Sequence, residues 1–429
     1  MSVVAPDTRA LGGRYWRLWS ASTASALGDG LRRVALPLLA VHLTTDPRQV
    51  ALVAAAGTVP WLVFGLPVGA LVDRWDRRRT LWVVDLLRTL TVAVLAGAAA
   101  AGAGAGALSV ALLAGVAFVL GTGEIFAESA ALALVPQLVA SFQLERANGR
   151  LQAGEVTAGQ FAGQGLGGVL YAVALALPFT LDAATFLLSA ALVSTLRTPT
   201  RRPPTRRRLP AASPRRLPAE TAEGLRWLAG HQLLAILCVL LAVLAAVSGA
   251  FWAVAALYAA SILGLGPTGF GVLLAAGAAG SLAGSLLAEP LAARLGTASA
   301  IRLAVALVTL ATAGLAATGS PLVAGALLVV NGIAVLVWNV VTVSLRQAII
   351  PDHLLGRVSS AYLFIGLGAQ PAGALGAGLL AHAAGLRAVF AASATLLAVT
   401  ALATAPRLRA ADFVAARDHA QQPAAQPSR

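Results

Sequence analysis

Long apolar runs alternate with short polar breaks along the whole chain. The runs fall at about 15–42, 50–72, 81–101, 107–133, 152–175, 178–196, 232–262, 268–290, 299–318, 321–345, 358–383 and 386–405. Each is close to or above the length of about twenty residues that a helix needs to cross a bilayer. The short alternating segments of a membrane barrel do not occur. In lipid only helices and closed barrels satisfy their own backbone polar groups. The pattern therefore predicts an all-α membrane protein with twelve transmembrane helices. Gly and Pro inside many of the runs fit this, because membrane helices tolerate both.

The longest break, 197–231, groups the expected spans as six and six. It carries Arg201, Arg202, Arg206, Arg207, Arg208, Arg215 and Arg216 among Pro203, Pro204, Pro210, Pro214 and Pro218. Like charge and proline work against packing, so the segment reads as a flexible linker, attracted to anionic lipid. Its last part, Pro218–Leu228, has Glu220 and Glu223 in what would be the first turn of a short helix along the membrane surface. The expected units are a six-helix bundle at 1–196, the linker at 197–231, a second six-helix bundle at 232–405, and a disordered tail at 406–429. A weak internal repeat agrees. Pro136 and Arg146–Arg150 precede the glycine-rich stretch Gly163–Gly168, as Pro351 and Gly356-Arg357 precede Pro371–Gly378.

Composition sharpens the class. Of 429 residues, 58% are hydrophobic and only 11% charged, against about 25% charged in soluble domains. The net charge of +14 comes from 31 basic residues, all of them Arg. With both termini placed inside, 26 of the 31 fall in inside segments, Arg17 and Arg302 at span edges being counted with the segments they border, two (Arg48 and Arg387) in outside loops and three (Arg32, Arg33 and Arg88) well within spans. That asymmetry follows the positive-inside rule and makes both termini cytoplasmic; nucleic acid is not needed to explain the charge. The absence of Lys excludes a G-x-x-x-x-G-K-[ST] nucleotide loop and Schiff-base cofactors. One cysteine, Cys238, excludes an intrachain disulfide, and five scattered His residues form no metal or haem pair. No cofactor, metal or enzyme chemistry is expected, and the N-terminus carries no cleavable signal.

The most charged short break is Gly69-Ala70-Leu71-Val72-Asp73-Arg74-Trp75-Asp76-Arg77-Arg78-Arg79-Thr80. Its G-x-x-x-D-R-x-x-R-R-R pattern resembles the loop between helices 2 and 3 of the major facilitator superfamily. Further stretches resemble the branch that contains enterobactin exporters and macrolide-efflux proteins: Ser25–Gly30, Arg146-Ala147-Asn148, Leu181–Ala190, Glu223–Leu228 and Gly356-Arg357-Val358. The resemblance spans nearly the whole chain. It implies two pseudo-symmetric six-helix halves with a substrate site between them. It also implies drug:proton antiport in a bacterial plasma membrane, by a protein acting as a monomer. The chain departs from the branch in three ways. The second copy of the charged loop, near Glu289–Gly296, has lost most of its charge. Gln164 stands where efflux relatives often have Pro. Span 4 carries Glu124 and Glu128 instead of the arginine common in such antiporters, which puts the usual coupling residue in doubt.

Charges inside spans mark function by default, because burying them in lipid is costly. Asp29, midway along span 1, can load and release a proton, as antiport requires. Alternatively it forms an ion pair with Arg32 or Arg33 at i+3 and i+4. These two arginines point about 100° apart, so one carboxylate does not neutralise both, and Arg33 is left for the cavity. Glu124 is the second proton candidate. Asp73, Arg74, Arg77, Asp85, Arg88, Glu128 and Glu155 are expected together at an inner gate. Asp182 is expected to cap span 6. Gln160, Gln164, Trp252, Tyr258, Asn331, Trp338, Asn339 and Gln370 are expected to line the cavity, polar groups beside adaptable aromatics. The expected partners are an amphipathic small molecule, protons and membrane lipid. The residues leave open an importer of a nutrient or siderophore on the same fold, or a non-transporting receptor.

Overall fold

The computed structural model describes residues 11–65, 67–101, 109–196, 226–350 and 354–407. Every regular element among these residues is helical. In the first half these are α1 (Gly13–Leu43), α2 (Pro47–Phe64), α3 (Pro67–Arg74), α4 (Arg77–Ala100), α5 (Val110–Leu138), α6 (Leu144–Glu155), α7 (Gln164–Val173) and α8 (Leu177–Ser194). In the second half they are α9 (Gln232–Ser261), α10 (Pro267–Leu295), α11 (Thr297–Ala317), α12 (Pro321–Ile349), α13 (Leu355–Ala384) and α14 (Leu386–Thr404). The linker up to residue 225 and the tail from 408 lie outside the described residues; of the expected surface helix, one turn at 226–230 is described.

Nine helices among the described residues are long and apolar enough to cross a membrane: α4, α5, α8 to α12, Ala361–Ala384 within α13, and α14. The other three expected runs depart from a plain apolar helix, each for a visible reason. Helix α1 carries Asp29, Arg32 and Arg33 midway along its 31 residues. The second run is cut at Gly65, after which Pro67, lacking an N–H, opens α3. The fifth run is α6 joined to α7 through eight π-helical residues, Val156–Gly163. Such wide turns recur at functional sites, and this one packs along α1.

The two halves share one apolar core at one end only. There Val34, Ala51 and Ala55 pack with Val254, Phe270 and Ala374. At the opposite end each half keeps its own core: Tyr15, Leu18, Leu134 and Val193 in one, Leu234, Leu237, Ile301 and Tyr362 in the other. The molecule is therefore closed at the end of loops 44–46 and 262–266 and parted at the end where α3 turns into α4. The closed end is a backbone seam in which α13 lies against α2 and α7 against α10. A Cβ on Gly168 would run into the Pro267 carbonyl, and a Cβ on Gly378 would stand 3.1 Å from the Pro47 carbonyl. Only glycine allows these helices to approach so closely. At the same end His382 Nδ1 is 3.6 Å from Asp46 Oδ1 across the halves.

Candidate functional site: an ion cluster on the wall of a central cavity

A cavity of about 840 Å³ lies between the halves. Helices α1, α2, α5 and α7 with the π-helical stretch wall one side, and α9, α10, α12 and α13 most of the other. Helix periodicity builds the polar part of its wall. Ser25, Asp29 and Arg32 share a face of α1, Asp85 and Arg88 a face of α4, and Asp182, Phe186 and Ser189 a face of α8. These faces meet within the first half.

Asp29 Oδ1 is the hub. It lies 2.5 Å from an Arg32 nitrogen and 2.5 Å from an Arg88 nitrogen. Arg88, 2% exposed, also donates to Ser25 Oγ at 3.2 Å, lies 3.6 Å from Asp85 and stacks 3.9 Å over the Phe186 ring. Ser189 Oγ donates to Asp85 Oδ2 at 2.6 Å. Arg32 reaches Glu124 Oε2 at 3.3 Å and Asp182 Oδ2 at 3.7 Å. Arg33 leaves on its own face and donates to Glu124 Oε1 at 2.6 Å. Four carboxylates (Asp29, Asp85, Glu124, Asp182) thus face three guanidiniums, so one further positive charge balances the cluster. Buried charges persist only when paired and hydrogen-bonded. Neither oxygen of Asp182 accepts a hydrogen bond from the described residues.

The structure brings the two proton candidates into one network and gives them different settings. Asp29 is buried between two arginines, whereas Glu124 borders the cavity. Arg33, Gln160, Gln164, Trp252, Asn331, Trp338, Asn339 and Gln370 line the cavity. Tyr258 does not. It is buried, and its hydroxyl donates to the Leu315 carbonyl at 2.8 Å, because its place on α9 turns it toward α11. Tyr258→Phe is expected to lower stability by about 1 kcal/mol, the worth of one such bond, read as a small fall in melting temperature, with flux unchanged.

The expected inner-gate residues take different places where their side chains are described. Asp85 and Arg88 belong to the buried cluster instead, because their face of α4 turns toward α1 and α8. Arg77 Nη1 donates to the Ala133 carbonyl at 3.0 Å, and Arg78 to carbonyls of Val193 and Ser194. These bonds tie the start of α4 to carbonyls of the same half. Asp76 caps α4, accepting from Arg79 N at 2.7 Å; the Asp73 side chain lies outside the described residues. Arg74 is exposed at the end of α3. Glu128 is exposed and Glu155 half-buried, within electrostatic reach of each other and of Arg33. Asp182 caps nothing: it sits one turn inside α8, fully buried. Sequence reasoning also missed Arg346, counted as a loop residue but placed in the last turn of α12 on the cavity wall. The i, i+4, i+7 stripes of α1 and α8 were the available signal for the cluster. Arg346 had none, since its partners come from other helices.

An all-helical chain folded as two packed halves around a polar, ion-bearing cavity is the architecture of a multi-pass membrane transporter, and this is a multi-pass cell-membrane protein. It belongs to the MFS_3 family, described as transmembrane secretion effectors, whose model matches residues 11–427. The multidrug efflux pump Tap of Mycolicibacterium fortuitum is 34% identical over 160 residues, 36% of this chain and 38% of that one. The match thus spans well under half of that relative. The multidrug efflux pump Tap of Mycobacterium bovis is 28% identical over 420 residues, 93% of this chain and 94% of that one. Among solved structures, the bacterial homologue of the human lysosomal transporter Spinster, in an inward-facing and unoccupied conformation, superposes with a TM-score of 0.72. It shares 17% identity over 98% of this chain and 100% of that one, a likeness of fold.

Proposed function

We propose that the protein is a twelve-span secondary transporter with cytoplasmic termini, exporting amphipathic small molecules by alternating access in exchange for protons. The observation that carries this reading is the cavity, walled by both halves, sealed at one end and parted at the other, with the ion cluster on its side. Taken with the arginine asymmetry, the parted end is cytoplasmic and the state is inward-open. The full-length likeness to pumps named for multidrug efflux supports the direction and the amphipathic class. The polar cluster supports the coupling. Glu124, on the cavity wall and bonded to Arg33, is the exchangeable proton site, and Asp29 the fixed anion that organises Arg32 and Arg88. Taking up a proton at Glu124 releases Arg33 and changes the polarity of the cavity. Rocking of the halves about the glycine seam then carries the site from one side to the other.

Everted membrane vesicles test this. With the protein present, an imposed inward-acid gradient drives accumulation of an amphipathic fluorescent dye, and a protonophore abolishes it. Accumulation in right-side-out vesicles instead would mean import.

A further inference from the structure

The arginines of the first half's cluster are each matched by carboxylates. Arg346 is not. It is 8% exposed and lines the cavity. Its Nε is 3.4 Å from the Thr342 carbonyl, its guanidinium lies 4.2 Å over the Tyr362 ring, and its Nη1 has no hydrogen-bond partner. Tyr362 is itself held in place, since its hydroxyl donates to the Leu237 carbonyl at 3.1 Å. Among the described residues of the second half the only carboxylate is Glu289, which is exposed and forms no ion pair with Arg346. Stacking on an aromatic face is worth about 2 kcal/mol when desolvated. That is less than the several kcal/mol needed to bury an ion. A positioned, desolvated guanidinium with a free donor is built to receive an anion, and its planar fork favours a carboxylate, sulfonate or phosphate.

We infer that Arg346 is an anion subsite of the cavity, and that the cargo is an amphipathic molecule bearing an acidic group. Tyr362 orients the guanidinium, and the ring faces of Trp252 and Trp338 on the same wall take the apolar body. The word cargo rests on the export reading; the subsite itself does not.

The test is equilibrium dialysis of the purified full chain in phosphatidylcholine nanodiscs, with empty nanodiscs subtracted. The probes are 2-naphthoate and 2-naphthamide, which share one ring system and differ in the acid. Wild type binds the naphthoate in preference to the amide. Arg346→Gln weakens the naphthoate by about tenfold or more, the worth of a hydrogen bond to a charged group, and leaves the amide unchanged. Arg346→Lys keeps the charge without the fork and retains part of the preference, and it serves if the Gln variant does not fold. Equal binding of the two probes by wild type, or a preference that survives Arg346→Gln, overturns the proposal. Loss of the preference when phosphatidylglycerol is added assigns the site to a lipid headgroup and overturns the cargo reading. Intact naphthoate selectivity in a protein that moves nothing outward would sink export and leave the subsite standing.

Discussion

Asp29→Asn is expected to be the most damaging single substitution in the chain. Two guanidinium nitrogens, one from Arg32 and one from Arg88, lie 2.5 Å from the same carboxylate oxygen. Arg88 is all but sealed from solvent and would keep only the longer ion pair to Asp85, at 3.6 Å. The amide cannot answer either charge. Removing one partner from a buried ion pair costs about 3–5 kcal/mol, because the other is left uncompensated. The expected readout is a large fall in melting temperature and in yield of folded protein. Asp29→Asn combined with Arg88→Met restores much of the loss, since it removes the stranded charge as well. An Asp29→Asn protein as stable as the parent would show that the cluster is held by something other than this carboxylate.

Glu124→Gln should separate coupling from binding. Glu124 holds Arg33 at 2.6 Å and Arg32 at 3.3 Å, yet keeps a face on the cavity. A glutamine fills the same volume and still accepts a hydrogen bond from Arg33, so the fold is kept. It cannot gain or lose a proton. The expected outcome is that uphill, gradient-driven efflux is abolished while exchange of cargo down its own gradient continues. The paired measurement is gradient-driven uptake against counterflow in the same vesicles. Uphill efflux by Glu124→Gln at the parental rate would remove this residue from the coupling role and move attention to Asp182.

The architecture was legible where one rule dominates. Apolar length gave the helices, because lipid allows a single solution to backbone satisfaction. The glycine-rich stretches of the fifth and eleventh runs were legible as a repeat, and each places a glycine at the seam. The cluster was half legible. From Asp29 and the 100° step between Arg32 and Arg33 it followed that one carboxylate would not serve both, and Arg33 does turn to Glu124. What stayed hidden was the meeting of faces from different helices. Whether Asp85 and Arg88 belong to an inner gate or to Asp29 depends on how α4 is rotated against α1 and α8, and no local pattern fixes that rotation. The same holds for Tyr258, a cavity residue by composition and a strut by geometry. It holds also for Asp182, which sits near enough to a helix start to read as a cap.

The glycine seam bears on how such a protein can change its repertoire over generations. Where Gly168 faces Pro267 and Gly378 faces Pro47, the neighbour is backbone, which cannot repack to admit a side chain. Trp252, Asn331, Asn339 and Gln370 instead border the cavity. Two kinds of position therefore lie along α13, Gly378 at the seam and Gln370 on the cavity wall. One kind has no room for a side chain although it lies outside the cavity, and the other borders open space on the cavity wall. Substitution can therefore reshape the cavity wall and leave the seam as it is.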